Sequence, residues 1–348
     1  MKKVAIITGA NGQDGSYLCE LLLEKGYDIY ACIRRSSQNN VKLIEHLLSK
    51  VFIRYIDMND AISISNVIRE VDDQMSNYER CEIYNLAAQS HVHVSFFVPD
   101  YTSECDALGL LRILESVRQS KHRHQMRVYQ ASTSELYGDT TGSIKQNEVT
   151  PFRPKSPYAT AKLYAYWISR NYRDSYGMFI CNGILFNHES PRRGVEFITR
   201  KLTLGMTSLF NKQRDTPVSI GNLDAKRDWG YAKDYVVAMW QMLQHDKPDD
   251  WVVSTGEVHS VRDVIQCISK SLGIELIWKT DNEGIEYAED QSGQVWIRQS
   301  KEFMRPNDVT YLCGDCTKIQ TELGWKHSVS FEELIEMMVR NDLNYGKL

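Results

Sequence analysis

Nowhere in the 348-residue chain are about 18 apolar residues found in a row, so no membrane-spanning helix is expected. A signal-peptide region before the first strand-like run at Val4 is also missing, which predicts no secretion. Strong net charge is absent: a balance of −4 gives no reason to expect nucleic acid or an anionic membrane as partner. No internal repeat or low-complexity tract stands out. The eight cysteines are scattered, and only Cys313 and Cys316 make a C-x-x-C pair. No second pair stands at zinc-site spacing, and the same lack weakens His91/His93 and His122/His124 as ligands. Reduced thiols, a cytoplasmic setting and no metal are therefore expected.

What is present is enough apolar residue for a core, 42% of the chain, in a length that favours two domains or one with a lobe. Short β-branched runs at 3–8, 27–33, 51–57, 81–87, 126–132 and 178–186 alternate with helical spacing at 15–26 and 106–119. That alternation predicts an α/β fold, a Rossmann-type doubly wound parallel sheet. After Phe186 the rhythm loosens, and residues 289–303 are polar and poorly periodic. A smaller α/β substrate-binding lobe is expected there. The dinucleotide domain is placed at 1–186 plus roughly 231–256, and the discontinuous lobe at roughly 187–230 plus 257–348.

The first strand runs into "TGANGQDGSYL". Gly9, Gly12 and Gly15, with Asn11, Gln13 and Asp14 between them, lie between strand and helix as a pyrophosphate-binding turn requires. A site that prefers NAD usually has an acid about 20 residues on, at the end of the second strand. This chain has none there. It has Arg34, Arg35 and Ser36, donors that suit a 2′-phosphate and predict NADP. Asp57 and Met58 follow the third strand, placed to meet the adenine. After the fourth strand come Leu86, Ala87, Ala88, Gln89 and Ser90, with alanines small enough for the cofactor to pass closely.

The fifth strand ends in "QASTSELYG". On an extended backbone Thr133 and Glu135 point to the same side. Further on, Ser156 and Pro157 open a helix in which Tyr158 and Lys162 stand one turn apart. Bringing tyrosine from its ordinary pKa of about 10 to neutrality takes about 4 kcal/mol. One positive charge about 4 Å away supplies that at an effective dielectric of about 20, and Lys162 can be that charge.

Together these segments resemble the extended short-chain dehydrogenase/reductase superfamily. Within it, "QASTSELYG", "FNHESPRRG", "GNLDAKRDWG" and "AKDYV" resemble the GDP-mannose 4,6-dehydratase family, over nearly the whole chain. The resemblance implies that GDP-mannose loses water to give the 4-keto-6-deoxy sugar, with hydride passing from C4 to NADP and back to C6. It implies Tyr158 as the base at the C4 hydroxyl, Thr133 as its orienting partner, and Glu135 as base at C5 and acid at C6. It places His188, Tyr101 and Arg193 on the cofactor, and Ser90, Asn187, Lys201, Arg227 and Arg305 on the substrate. It also implies a homodimer or homotetramer, with the segment 34–41 at a neighbouring subunit. A reduced cofactor beside a 4-keto product further implies a secondary reduction.

Two other readings use the same residues. A nucleotide-sugar 4-epimerase or simple reductase needs Tyr158, Lys162 and a hydroxyl, but has no evident use for Glu135. A non-catalytic NADP-binding sensor could lose Tyr158 or Lys162 without cost.

Overall fold

A computed structural model describes residues 1–38, 40–139, 144–303 and 309–344. The first half alternates as its apolar pattern requires: β1 (Lys2–Thr8), α1 (Gln13–Glu24), β2 (Asp28–Ile33), β3 (Phe52–Tyr55), α2 (Ala61–Asp72) and β4 (Tyr78–Asn85). Two short helices follow, α3 (Val92–Ser95) and α4 (Pro99–Ser103). A π-helical turn, Glu104–Leu108, then leads into α5 (Gly109–Arg118). Next come β5 (Met126–Ala131), α6 (Pro157–Tyr176) and β6 (Phe179–Leu185). The second half runs β7 (Asn187–Glu189), α7 (Ile198–Phe210), β8 (Val218–Ile220), β9 (Lys226–Arg227), β10 (Trp229–Tyr231), α8 (Ala232–Gln244) and β11 (Asp250–Val253). It closes with β12 (His259–Ser260), α9 (Val261–Leu272), β13 (Ile277–Thr280), β14 (Glu286–Glu289), β15 (Val295–Gln299), α10 (Thr317–Leu323) and α11 (Phe331–Leu343).

Seven strands form one parallel sheet in the order β11-β6-β5-β4-β1-β2-β3. Its inner strands are buried on both faces, which is why they read as unbroken apolar runs. On one face Leu18 and Leu22 of α1 pack with Tyr235, Met239 and Met242 of α8. On the other, Val67 and Val71 of α2 meet Ile113 and Leu114 of α5 and Tyr172 of α6. The order reverses between β1 and β4, so the crevice beyond their C-terminal ends is the place a doubly wound sheet offers a ligand.

The lobe has its own core, with Leu202 and Met206 of α7, Val264 and Ile268 of α9, and Ile335 and Val339 of α11. These cover a four-stranded sheet in the order β13-β14-β15-β8. Ser260 with Asp263, and Ser330 with Glu333, form capping boxes that start α9 and α11.

One stretch is more regular than its pattern suggests, and one domain boundary needs correction. The polar stretch 289–303 is not irregular: β14 and β15 pair antiparallel across a turn closed by the Gly293 N–H to the Asp290 carbonyl at 3.0 Å. Most of its side chains face solvent, so the strand has few apolar positions to betray it. The lobe also does not hold all of 257–348. Cys316, Ile319 and Trp325 belong to the α1/α8 core, and the Trp325 indole donates to the Asp234 carbonyl at 2.8 Å. The segment 316–325 therefore returns to the dinucleotide domain.

Among the described residues no helix is long and apolar enough to cross a membrane, and no group of three or more His, Cys, Asp or Glu gathers as a metal site. All eight cysteines are free thiols. Ile7 lies at the centre of the sheet with no exposed surface. Ile7→Ala is expected to lower unfolding free energy by about 2–5 kcal/mol, measured by urea denaturation.

Candidate active site

The turn after β1 is built by close backbone approach. Gly9 has φ of +67°, and a Cβ there would stand 3.0 Å from the Ala87 nitrogen. A Cβ on Gly15 would come within 2.3 Å of the Gly9 carbonyl oxygen. Gly12 precedes α1 with no side-chain cap, so the first N–H groups of the helix are left for an anion. Thr8 ties the two strand ends together. Its hydroxyl accepts from the Leu86 and Ala87 N–H groups, both at 3.0 Å, and donates to Asn85 at 2.8 Å.

Gln13 and Asp14 reach across to β7 and the residue that follows it. The Gln13 amide donates to the His188 carbonyl at 3.0 Å and accepts from the Ser190 hydroxyl at 2.8 Å. Asp14 meets the His188 ring at 2.7 Å. The other ring nitrogen of His188 faces the Phe186 carbonyl at 2.8 Å, and the ring stacks on Tyr235 with centroids 4.6 Å apart. Burial opposes charge on both members of this pair. Their mutual attraction outweighs it, raising the imidazole above its ordinary range and lowering the carboxyl below its own.

At the far edge, Arg34 and Arg35 are exposed at the end of β2, Ser36 is half-buried, and Arg34 donates to the Tyr101 hydroxyl at 2.7 Å. The Asn11 amide donates to the Asn40 carbonyl at 2.9 Å, fastening the glycine turn to this segment. Asp57 stays half-buried at the end of β3, whereas Met58 turns into the core against Gly109. Leu86, Ala87, Ala88 and Gln89 are half-buried along the crevice, and Ser90 is exposed.

The chemical end departs from strand geometry. β5 stops at Ala131, and Thr133 is an extended residue that caps a 3-10 turn, Ser134–Tyr137. The Thr133 hydroxyl accepts from the Glu135 N–H at 3.2 Å. Glu135 thus rises from a turn rather than from strand alternation, and it remains half-buried. Ser156 caps α6 through the Ala159 N–H at 3.1 Å, setting Tyr158 and Lys162 on the face toward β5. Both are buried. The Lys162 ammonium donates to the Ala131 carbonyl at 3.1 Å and stands 5.9 Å from the centre of the Tyr158 ring.

Tyr158 senses the whole cluster. Burial pushes its hydroxyl well above the ordinary range and the Asp106 carboxylate adds to this, while hydrogen bonding with Thr133 pulls it down. Glu135 raises it further and Arg193 lowers it. The expected lowering of this hydroxyl by Lys162 is therefore outweighed in the chain alone, because desolvation dominates and the ammonium is turned to a carbonyl.

Asp106 was not among the residues the sequence singled out. It lies in the π-helical turn, where burial pushes it up to about 6 against the pull of Lys162. One oxygen accepts from the Gln89 N–H at 2.7 Å, and the other is buried with no hydrogen bond. An acid inside an apolar helical stripe was the signal available.

Arg193 stands 3.0 Å from the Glu189 carboxylate and lies over the Phe197 ring at 3.6 Å. In the lobe, Asn187 pairs with Trp229 across β7 and β10. Arg227 is buried on β9 and donates to the Lys226 carbonyl at 3.0 Å. The Lys201 ammonium sits 3.4 Å from the centre of the Phe303 ring, and burial lowers its pKa. Arg305 lies outside the described residues.

The family model for GDP-mannose 4,6 dehydratase matches residues 6–338. The chain belongs to the GDP-mannose 4,6 dehydratase family. It is similar to the GDP-mannose 4,6 dehydratase of Homo sapiens, with 47% identity over 350 residues, covering 98% of this chain and 92% of the relative. It is similar to the enzyme of the same name from Cricetulus griseus at 46% over 350 residues, with the same coverage. The fold matches a crystal structure of Thermus thermophilus UDP-glucose 4-epimerase with NAD, with a TM-score of 0.79 at 23% identity, covering 98% of this chain and 99% of that one.

The His188–Asp14 pair carries a pH signature. The folded-state pKa of His188 is raised, so its stabilising charge is present below the ordinary histidine value and is lost as pH rises through the raised one. His188→Asn is expected to cost about 3 kcal/mol near pH 6, with the gap to the unsubstituted protein narrowing as pH rises through the raised value. Urea midpoints across that range check it; a gap independent of pH contradicts it.

Proposed function

We propose that this dehydratase-family chain converts GDP-D-mannose to GDP-4-keto-6-deoxy-D-mannose and water. The observation that carries the reading is Glu135, raised on a turn beside Thr133 and within electrostatic range of Tyr158. A site for C4 oxidation alone has no work for that acid.

The glycine turn fits a dinucleotide: at Gly9 and Gly15 the backbone space is closed to any side chain, and the start of α1 is uncapped. We read the cofactor as NADP, supported by exposed Arg34 and Arg35 and by the absence of an acid at the end of β2. Bound there, it supplies reversible storage of the hydride that leaves C4 and arrives at C6.

The chain's residues do the proton work. Tyr158 accepts the C4 hydroxyl proton, with Thr133 fixing the oxygen. Burial holds the tyrosine high, so its base form depends on positive charge, and Lys162 is the cation one helical turn away. The ketone formed at C4 acidifies the C5 hydrogen. Glu135 takes that proton and gives one to the departing C6 hydroxyl, which leaves as water. As hydride reaches C6, C5 takes back a proton, the one Tyr158 received from the C4 hydroxyl, so oxidation at C4 and reduction at C6 cancel and each residue ends as it began. Arg227, Asn187 and Lys201 are read as holding the GDP portion. Arg193, His188 and Tyr101 are read as framing the cofactor. An expected homodimer or homotetramer is supported by the exposed Tyr164, Trp167 and Tyr176 on α6.

With GDP-mannose carrying deuterium at C4, the label is expected at C6 of a keto-deoxy product, with no net reduced cofactor. An epimer that keeps its C6 hydroxyl refutes the reading. Glu135→Gln should slow water loss by about 100-fold or more while leaving cofactor binding intact. Replacing Arg34 and Arg35 together by Ala should weaken NADP by about tenfold or more and leave NAD little changed, measured by titration calorimetry. Equal losses for both cofactors contradict the 2′-phosphate assignment.

A further inference from the structure

Asp228 lies between Arg227, the last residue of β9, and Trp229, the first of β10, and it has no exposed surface. Its carboxylate accepts from four donors. One oxygen takes the Thr255 N–H and the Thr255 hydroxyl, both at 2.8 Å. The other takes the Gly256 N–H at 2.8 Å and the Gly314 N–H at 3.3 Å. Burial pushes the carboxyl up to about 6, and these donors hold it charged at neutral pH.

The donors come from two separate loops. Thr255 and Gly256 follow β11, the edge strand of the main sheet, and Gly314 precedes α10. These loops are shaped for close approach. Gly256 has φ of +81°, and a Cβ on Gly314 would fall 2.2 Å from the Ser254 hydroxyl. The acceptor stands between two short strands that belong to different two-stranded sheets. On one side, β9 aligns Arg227 with His259 of β12. On the other, β10 aligns Trp229 with Asn187 and Gly230 with His188 of β7. A single buried charge therefore fixes the backbone on which Arg227 is mounted to the rim of the dinucleotide domain. The buried Arg227 guanidinium donates to the carbonyl of its own neighbour, Lys226, at 3.0 Å.

We propose that Asp228 is a positioning residue for substrate binding: it holds Arg227 in the orientation that receives the diphosphate of the sugar nucleotide. This rests on the reading of Arg227 given above. Asp228 itself touches no substrate, so its removal acts on KM, through Arg227, and not on the hydride or proton steps.

Asp228→Asn keeps the size of the side chain but turns one acceptor into a donor facing backbone N–H groups. The KM for GDP-mannose is expected to rise about tenfold, with kcat held within about threefold and NADP affinity within about twofold. Thr255→Val removes one donor from the opposite loop and should raise KM about threefold in the same pattern. Placed in an Arg227→Ala background, Asp228→Asn should add less than about twofold, because the group it aims is gone.

Parallel loss of kcat, KM and cofactor affinity, or full additivity with Arg227→Ala, overturns the proposal in favour of a general structural role. If Arg227→Ala raises KM and Asp228→Asn does not, the proposal fails while the reading of Arg227 stands. If Arg227→Ala leaves KM unchanged, that reading fails and the proposal with it. Should Asp228→Asn not fold, Thr255→Val decides: a KM rise with kcat kept supports the proposal, and no rise overturns it.

Discussion

The Thr8 hydroxyl ties the end of β1 to the loop that leaves β4, and it fixes the floor of the crevice between them. Strand order reverses between these two strands, so the connections that leave their paired C-terminal ends turn to opposite faces of the sheet. One side-chain oxygen accepts from two consecutive N–H groups of the β4 loop. That brings the Ala87 backbone against Gly9, close enough that a Cβ at Gly9 would crowd it. The glycine turn, the helix start behind it and the small-residue loop opposite are all registered by this contact. Buried amides that would lack partners at a strand end are satisfied at the same time.

The chemical end is held differently, by unfavourable burial set against a few polar contacts. Tyr158, Lys162, Thr133 and Asp106 are all buried within one layer between β5, α6 and the π-helical turn. Water is largely excluded there, so each charge acts on its neighbours at low screening. The consequence is a tyrosine whose proton is hard to remove until positive charge accumulates.

Local rules explain how much was readable beforehand. Six strands of the sheet, α1, α5, α6 and the glycine turn follow from periodicity, caps and breakers, and those signals lie within a dozen residues of each other. Tyr158 and Lys162 were visible because helical spacing fixes their relation. What escaped needed distant partners. The β14–β15 pairing is set by a turn and by a neighbouring strand, not by an apolar alternation. The return of 316–325 to the first domain is decided by packing against β11 and α8, which no segment announces by itself. Thr133 and Glu135 were expected on one side of a strand, and a 3-10 turn places them instead. Gln13 and Asp14 fitted the pattern of a phosphate turn, yet their side chains are taken by β7.

That last contact has a bearing on how the molecule is made. Asp14 and His188 are 174 positions apart, and Gln13 and Ser190 are 177 apart. Two side chains at the head of the helix that follows the glycine turn thus find their partners only across a long span of chain. Closing so long a loop is entropically slow, and it waits for the sheet to assemble between the two ends. Both contacts need the strands between them in place, so the glycine turn is completed together with the sheet rather than ahead of it.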